Sequence, residues 1–423
     1  MNRRTLLGFA LLVIVSGLLP LSGCARSDAR AQEPFDGSLT ATDTAPSTQF
    51  SDMVNDFGVD LLMRSGAKTS GNVIVSPASV HAALSMTANG ATDETARQMH
   101  GVLLSDSMTF DQANASWTSL LESLDTERGE QTLDIANAMW GRKGVAFKEP
   151  FVAKNRDSFG AQLATLDFET DDVAGVINDW ASTNTHGMIK SVVDDVPDST
   201  VLYLANAVYF KGDWDEPFTA RATQKAKFTR GDGSKVDVQM MNDSRTQPYA
   251  ESKILQATRL SYRGGGTAFY VLLPKKGVRL DAAVASLDSA GFSALKSTMD
   301  TETGTQVVLA MPKLDAEFKD DLSSALAEMG MPSAFDRQRA QFSGIADVNG
   351  PLWIDSVKHA TKVKVDETGT EAAAATAAAI AAMGMASPAQ PREIICDRPY
   401  IFAIVDESSG AMLFLGVVRD PRE

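Results

Sequence analysis

The chain has 423 residues, 44% of them hydrophobic and 22% charged, with a formal net charge of −15. That length holds one large domain or two ordinary ones, and the composition is that of a globular protein. The acidity argues against nucleic acid or anionic membrane as a charge-driven partner, since both need clustered Lys and Arg.

Arg3 and Arg4 precede an apolar run from Leu6 to Leu19, which ends at Leu21-Ser22-Gly23-Cys24. A basic start followed by a short apolar stretch predicts a secretory signal, too short for a stable membrane span. Leu-Ser-Gly-Cys resembles the bacterial lipobox. That resemblance implies a signal peptide over 1–23 and a lipid on Cys24, with Sec and twin-arginine export both open. Ala25 in place of aspartate implies anchoring at the outer membrane or cell surface in a bacterial source. Residues 25–47 are rich in Ala, Ser, Thr, Asp and Pro and predict a flexible tether, reaching on the order of 25 Å from the lipid. The folded domain is expected over 48–423.

Phe50, Val54, Phe57, Leu61 and Leu62 recur at helical spacing. Asn72 to Val75 predicts a short strand, and Ser76-Pro77 opens a helix through Asn89, with serine as cap and proline at its first position. Helices follow at Thr92–Gly101, Asp111–Leu124, Glu149–Phe159 and Asp171–Thr185, with a strand at Leu133–Trp140. Beyond Thr185 strands dominate. Thr200–Lys211 is almost continuously apolar, as suits a strand buried on both faces. Others are expected at Val236–Met241, Ile254–Leu260, Thr267–Leu273 and Thr305–Met311, with helices at Leu280–Gly291 and Asp321–Met329. Trp353–Asp366 alternates, with Val357, His359, Thr361, Val363 and Val365 on one face. Ile401–Val405 and Leu413–Val418 complete the strands. Early helices and late strands predict an α+β fold, with helices packed on mixed sheets.

Chemistry-bearing motifs are sparse. The two cysteines, Cys24 and Cys396, make no disulfide framework. No CxxC, HExxH, P-loop or GxSxG stands in the sequence. His81, His100, His186 and His359 are scattered, and His359 reads as a core histidine. No cofactor, metal or enzymatic activity is expected.

The segment Asp366 to Met385 is unusual: Asp-Glu-Thr-Gly-Thr-Glu, then alanines interrupted by Thr376, Ile380 and Met383. Alanine's propensities alone favour a helix here. Yet the segment also meets the needs of an inserted central strand. Its inward set would be Thr370, Ala372, Ala374, Thr376, Ala378 and Ile380, all small or apolar. Its charge, Glu371, faces outward, and its first prolines, Pro388 and Pro391, lie beyond. Gly369 would give the hinge its backbone freedom.

Several motifs together resemble the serpin family, in order, from about Phe50 to Pro421. They are Asn72-Val-Ile-Val-Ser-Pro-Ala-Ser79, Asn206-Ala-Val-Tyr-Phe-Lys-Gly-Asp-Trp214, Asp366-Glu-Thr-Gly-Thr-Glu-Ala-Ala-Ala-Ala-Thr376, Asp397-Arg-Pro-Tyr-Ile-Phe402 and Gly410 to Gly416. The resemblance implies the serpin fold, with one large mixed sheet, two smaller sheets and an exposed reactive-centre loop. It also implies a suicide inhibitor of serine or cysteine endopeptidases: the cut loop inserts into the large sheet and traps the acyl-enzyme. A non-inhibitory serpin that binds or carries a ligand is the alternative.

By similarity, Glu367 and Gly369 form the hinge, Ser76, Ser79, Asn206 and His359 the shutter, and Trp214 the breach. Counting seventeen residues from Glu367 places the reactive bond at Met383–Gly384, with Ala382–Met383 next. Methionine there suits elastase-, chymotrypsin- or subtilisin-like pockets rather than trypsin-like ones. The stretch from Met383 to Pro399 is longer than the family pattern. The Asp111–Leu124 helix, at the position that binds glycosaminoglycan in some members, has no Lys or Arg, so no such partner is expected. The expected partners are a target protease and, through Cys24, a membrane; the chain is expected to be a monomer.

Overall fold

The computed structural model describes residues 9–17, 47–106, 108–124, 131–197, 199–301, 304–370 and 390–423. Its frame is a seven-stranded mixed sheet. The strands run across it in the order Leu314–Asp321, Leu352–Val365, Phe9–Gly17, Thr200–Asp213, Thr132–Arg142 and Gln162–Leu166, and the two-residue strand Gly369–Thr370 pairs with Thr200–Asp213. A six-stranded sheet carries Val73–Val75, Met412–Val418, Tyr400–Asp406, Thr267–Pro274, Leu255–Ser261 and Tyr249–Glu251. A four-stranded sheet carries Arg392–Ile395, Gln306–Pro312, Lys235–Thr246 and Gln224–Thr229. Ala346–Asp347 pairs with Ala146–Phe147 as a small ribbon.

The predicted helices form close to their expected limits. The first spans Thr48–Gly66 and buries Phe50, Val54, Phe57, Leu61 and Leu62. Ser76 caps Pro77–Ala88 by accepting from the Ser79 N–H, and every residue of that helix is buried. An all-buried helix needs no polar face, which is why its sequence carries so little amphipathic signal. It lies behind the large sheet, and from its first turn it reaches the centre of that sheet.

Several elements depart from expectation: Gln162–Leu166, Gln224–Thr229, Tyr249–Glu251 and Arg392–Ile395 are strands that no local pattern marked. Leu280–Gly291 is not one helix: Leu280–Ala285 ends, and Ser289–Thr301 begins again. Asp288 Oδ1 accepts from the Gly291 N–H at 2.8 Å and starts the second helix. Leu314–Asp321 is an edge strand of the large sheet that was not anticipated, though Leu314, Ala316 and Phe318 point inward between charged residues. Phe9–Gly17, which the sequence places within a signal peptide, stands here as a strand in the middle of the large sheet. A short apolar run is ambiguous between these two fates, because a doubly buried strand and a signal core ask for the same residues.

Candidate functional site

The site is the slot between Thr200–Asp213 and Leu352–Val365, together with the chain that enters its top. Leu352–Val365 delivers the backbone to Asp366, where it turns. The Asp366 N–H donates to Gly369 O at 3.0 Å, and Asp366 Oδ1 accepts from the Thr368 N–H at 2.9 Å and its hydroxyl at 2.6 Å. Side-chain acceptance by aspartate is a turn device. It folds the hinge back so that Gly369 pairs with Asp213 and Thr370 with Gly212.

Gly369 is required for a different reason than the expected one. Its φ lies outside the left-handed region. Instead, an added Cβ would sit 2.3 Å from Gly212 O. Close approach of two backbones, not torsional freedom, excludes any side chain here.

Around this turn the polar groups are paired. Trp214 is buried and stacks on Tyr262, with ring centroids 4.6 Å apart, and it meets Phe269 edge-on. Its Nε1–H donates to Asp366 O at 3.0 Å and its backbone N–H to Thr368 O at 2.9 Å. Glu367 takes a 2.6 Å ion pair from Lys313 and a 2.7 Å bond from the Thr223 hydroxyl. Burial pushes its carboxyl up, but the bonds from Lys313 and Thr223 outweigh this and hold it below the ordinary glutamate value. Thr370 is fully buried, and its hydroxyl bonds Tyr262 Oη. Burial keeps that phenol protonated, well above its ordinary pKa.

Halfway down the slot the character changes. Ser76, Ser79, Asn206 and His359 come together from three elements and are all buried. The Ser76 N–H donates to His359 Nε2 at 3.3 Å, and Ser76 Oγ donates to Leu413 O at 2.7 Å. Asn206 Nδ2 donates to Asn137 Oδ1 at 2.7 Å, and Asn137 Nδ2 to Phe159 O at 2.7 Å. Ser79 Oγ, Asn206 Oδ1 and His359 Nδ1 have no partner among the described residues. Burial lowers the His359 pKa to about 3, so the ring is neutral. Because Nε2 accepts, the proton sits on Nδ1. The cluster therefore holds an unpaired donor, His359 Nδ1–H, and an unpaired acceptor, Asn206 Oδ1.

The strand in the slot runs between the two residues. In the register of Phe9–Gly17, Leu11 lies opposite both Asn206 and His359.

The remaining histidines lie apart. His81 is a core residue bonded to Leu103 O, with burial lowering its pKa to about 4. His100 bonds Met108 O, and His186 pairs with Asp134. Cys396 is buried, and burial pushes its thiol up, away from the reactive thiolate form. Ala372, Ala374, Thr376, Ala378, Ile380, Ala382, Met383 and Gly384 lie outside the described residues, as does Cys24. Sequence reasoning did not single out Asn137, Thr223, Tyr262 or Lys313. Each acts through a contact distant in the chain, and no local pattern marks them.

Chain and fold have clear counterparts. The family profile described as Serpin (serine protease inhibitor) matches residues 52–421. An uncharacterized serpin-like protein of Thermococcus kodakarensis is 31% identical over 442 residues, covering 100% of both chains. The leukocyte elastase inhibitor of Sus scrofa is 31% identical over 378 residues, covering 86% of this chain and 97% of its own. Among solved structures, the native state of the thermophilic serpin tengpin superposes with a TM-score of 0.80 at 26% identity, covering 91% of this chain and 97% of its own. The chain belongs to the serpin family. Its fold is the serpin fold, and its family association is with protease inhibition rather than catalysis.

Proposed function

We propose that this protein is a suicide inhibitor of serine endopeptidases with hydrophobic primary specificity, cut at Met383–Gly384 and acting by insertion of its reactive loop into the large sheet. It is exported and held at the cell envelope by a lipid on Cys24. The observation that carries the proposal is the start of insertion: Gly369 and Thr370 already pair with the strand that borders the slot.

Continued without a bulge, that register puts Ala374 opposite Val208, Thr376 opposite Asn206 and Ile380 opposite Leu202. The inward face is then Thr370, Ala372, Ala374, Thr376, Ala378 and Ile380. The one central hydroxyl falls between Asn206 and His359. A hydroxyl both donates and accepts. It can take the proton of His359 Nδ1 and give its own to Asn206 Oδ1. About ten new rungs at ~0.5–1.5 kcal/mol each favour insertion by roughly 10 kcal/mol, comparable with the stability of a whole domain. The uninserted state is then held kinetically. A loop cut by a protease inserts before the acyl-enzyme is hydrolysed.

The test is incubation of the chain processed to Cys24 with elastase, chymotrypsin and subtilisin. The expected product is an SDS-stable complex, with peptide mapping placing the cut after Met383. Cleavage without a complex would remove the inhibitory reading. Labelled fatty acid should enter the protein in cells and be lost in Cys24→Ala.

A further inference from the structure

Insertion of the reactive loop needs a slot, and in this chain the slot has an occupant. Phe9–Gly17 runs antiparallel to both neighbours. Phe9 lies opposite Val208 and Thr361, and Ser16 lies opposite Thr200 and Trp353. The hinge rungs, at Asp213 and Gly212, sit just above on the same strand. A loop continuing the hinge register would need the rungs from Val208 downward. Those are the rungs the N-terminal strand holds. Two strands cannot share them, because neighbours in a sheet stand about 4.8 Å apart and each edge bonds one partner.

We propose that the N-terminal apolar segment is an internal blocking strand. A chain that keeps it can be cut in its reactive loop but cannot insert, and loss of the segment ahead of Cys24 arms the inhibitor. This rests on the insertion mechanism proposed above and adds its control.

The segment suits the place. It is a continuous apolar run with three successive β-branched residues, Val13, Ile14 and Val15, and no proline. It does not complete the place, however. Its register slips between Ile14 and Val15 against one neighbour, and between Val15 and Ser16 against the other. A leucine stands on the rung between Asn206 and His359, and a leucine side chain can neither donate nor accept. Asn206 Oδ1 and His359 Nδ1 have no partner among the described residues. The blocker holds the sheet closed while leaving the shutter's polar pair for a better-matched strand.

The test uses the full chain carrying Cys24→Ser, which keeps the segment, with and without Val13→Pro. Proline has no N–H to give the ladder and is excluded from central strands. The domain's own residues are untouched. Without Val13→Pro, amides of residues 10–16 should exchange slowly, loop cleavage should not raise the unfolding temperature, and no covalent protease complex should form. With it, exchange should be fast, cleavage should raise the unfolding temperature by more than roughly 10 °C, and a complex should form. Val13→Asp, a charge in a strand paired on both edges, should behave as Val13→Pro does and replaces it if that chain misfolds.

Equal complex formation by both chains would overturn the blocking strand while leaving inhibition standing. A heat-stability gain confined to the variant, with no complex from either chain, would keep the blocking strand and remove inhibition. Fast exchange in the parent chain, or no gain in either chain, overturns the proposal.

Discussion

The top of the slot and its middle are built on opposite terms. At the top, Trp214, Asp366, Glu367 and Thr370 are bonded through Lys313, Thr223 and Tyr262. In the middle, Ser79, Asn206 and His359 each keep a buried polar atom with no partner among the described residues. An unpaired buried donor or acceptor costs about 1–3 kcal/mol, more than a typical bond gains. The top is thus a finished latch that fixes where a strand enters. The middle, on the proposed mechanism, is a site whose completion favours a strand that supplies a hydroxyl. Under the proposed insertion mechanism, the contrast lets one fold be stable where insertion starts and remain open to change where it proceeds.

The sharpest way to break this contrast is at the latch. Thr370→Arg puts a charge into a fully buried position beside Tyr262, so covalent complex should be lost altogether and protease should simply turn the protein over. Undiminished complex would refute the register at the top. Gly369→Val forces a side chain against Gly212 O. It should cost on the order of 1–3 kcal/mol in hinge pairing, read as a raised number of inhibitor molecules consumed per protease trapped.

Thr376→Val tests the middle. It keeps the shape and removes the hydroxyl, so the stability gained on loop cleavage should fall by about 1–3 kcal/mol, with Thr376→Ser retaining most of it. Denaturant unfolding of the cleaved protein measures this, and an unchanged gain in Thr376→Val would move the register off Asn206 and His359.

Acid probes the same residues. His359 and His81 have folded pKa values lowered by burial to about 3 and about 4. Their unfolded forms bind a proton first, so stability is full above about pH 6.5 and is lost as pH falls toward those values. The loss is at most about 1.4 kcal/mol per pH unit per histidine. His359→Gln should flatten the curve between pH 6.5 and 4; an unaltered slope would mean that His359 does not stay neutral there. The smallest effect is expected from Lys313→Met. Lys313 is 41% exposed, so its pair with Glu367 is worth under about 1 kcal/mol. Complex formation should persist with slightly faster hinge exchange, and a collapse of inhibition would show the latch to depend on that one pair.

Much of this protein was legible in its residues. The helix beginning at Ser76-Pro77, the apolar strand through Asn206 and the alternation through His359 each follow from a local period or cap. The small residues after Thr370 show what the loop can tolerate. What the sequence could not supply was partnership across distance. Lys313 and Thr223 read as ordinary surface residues until the fold brings them to Glu367. Gly369 needs its missing side chain because Gly212 lies against it, a fact with no local signature. The Phe9–Gly17 run is the clearest case. Its composition fits a signal core and a central strand alike, and only the tertiary structure pairs its backbone with Thr200–Asp213 and Leu352–Val365, because apolar character is a property of a residue type while a ladder partner is a property of the fold.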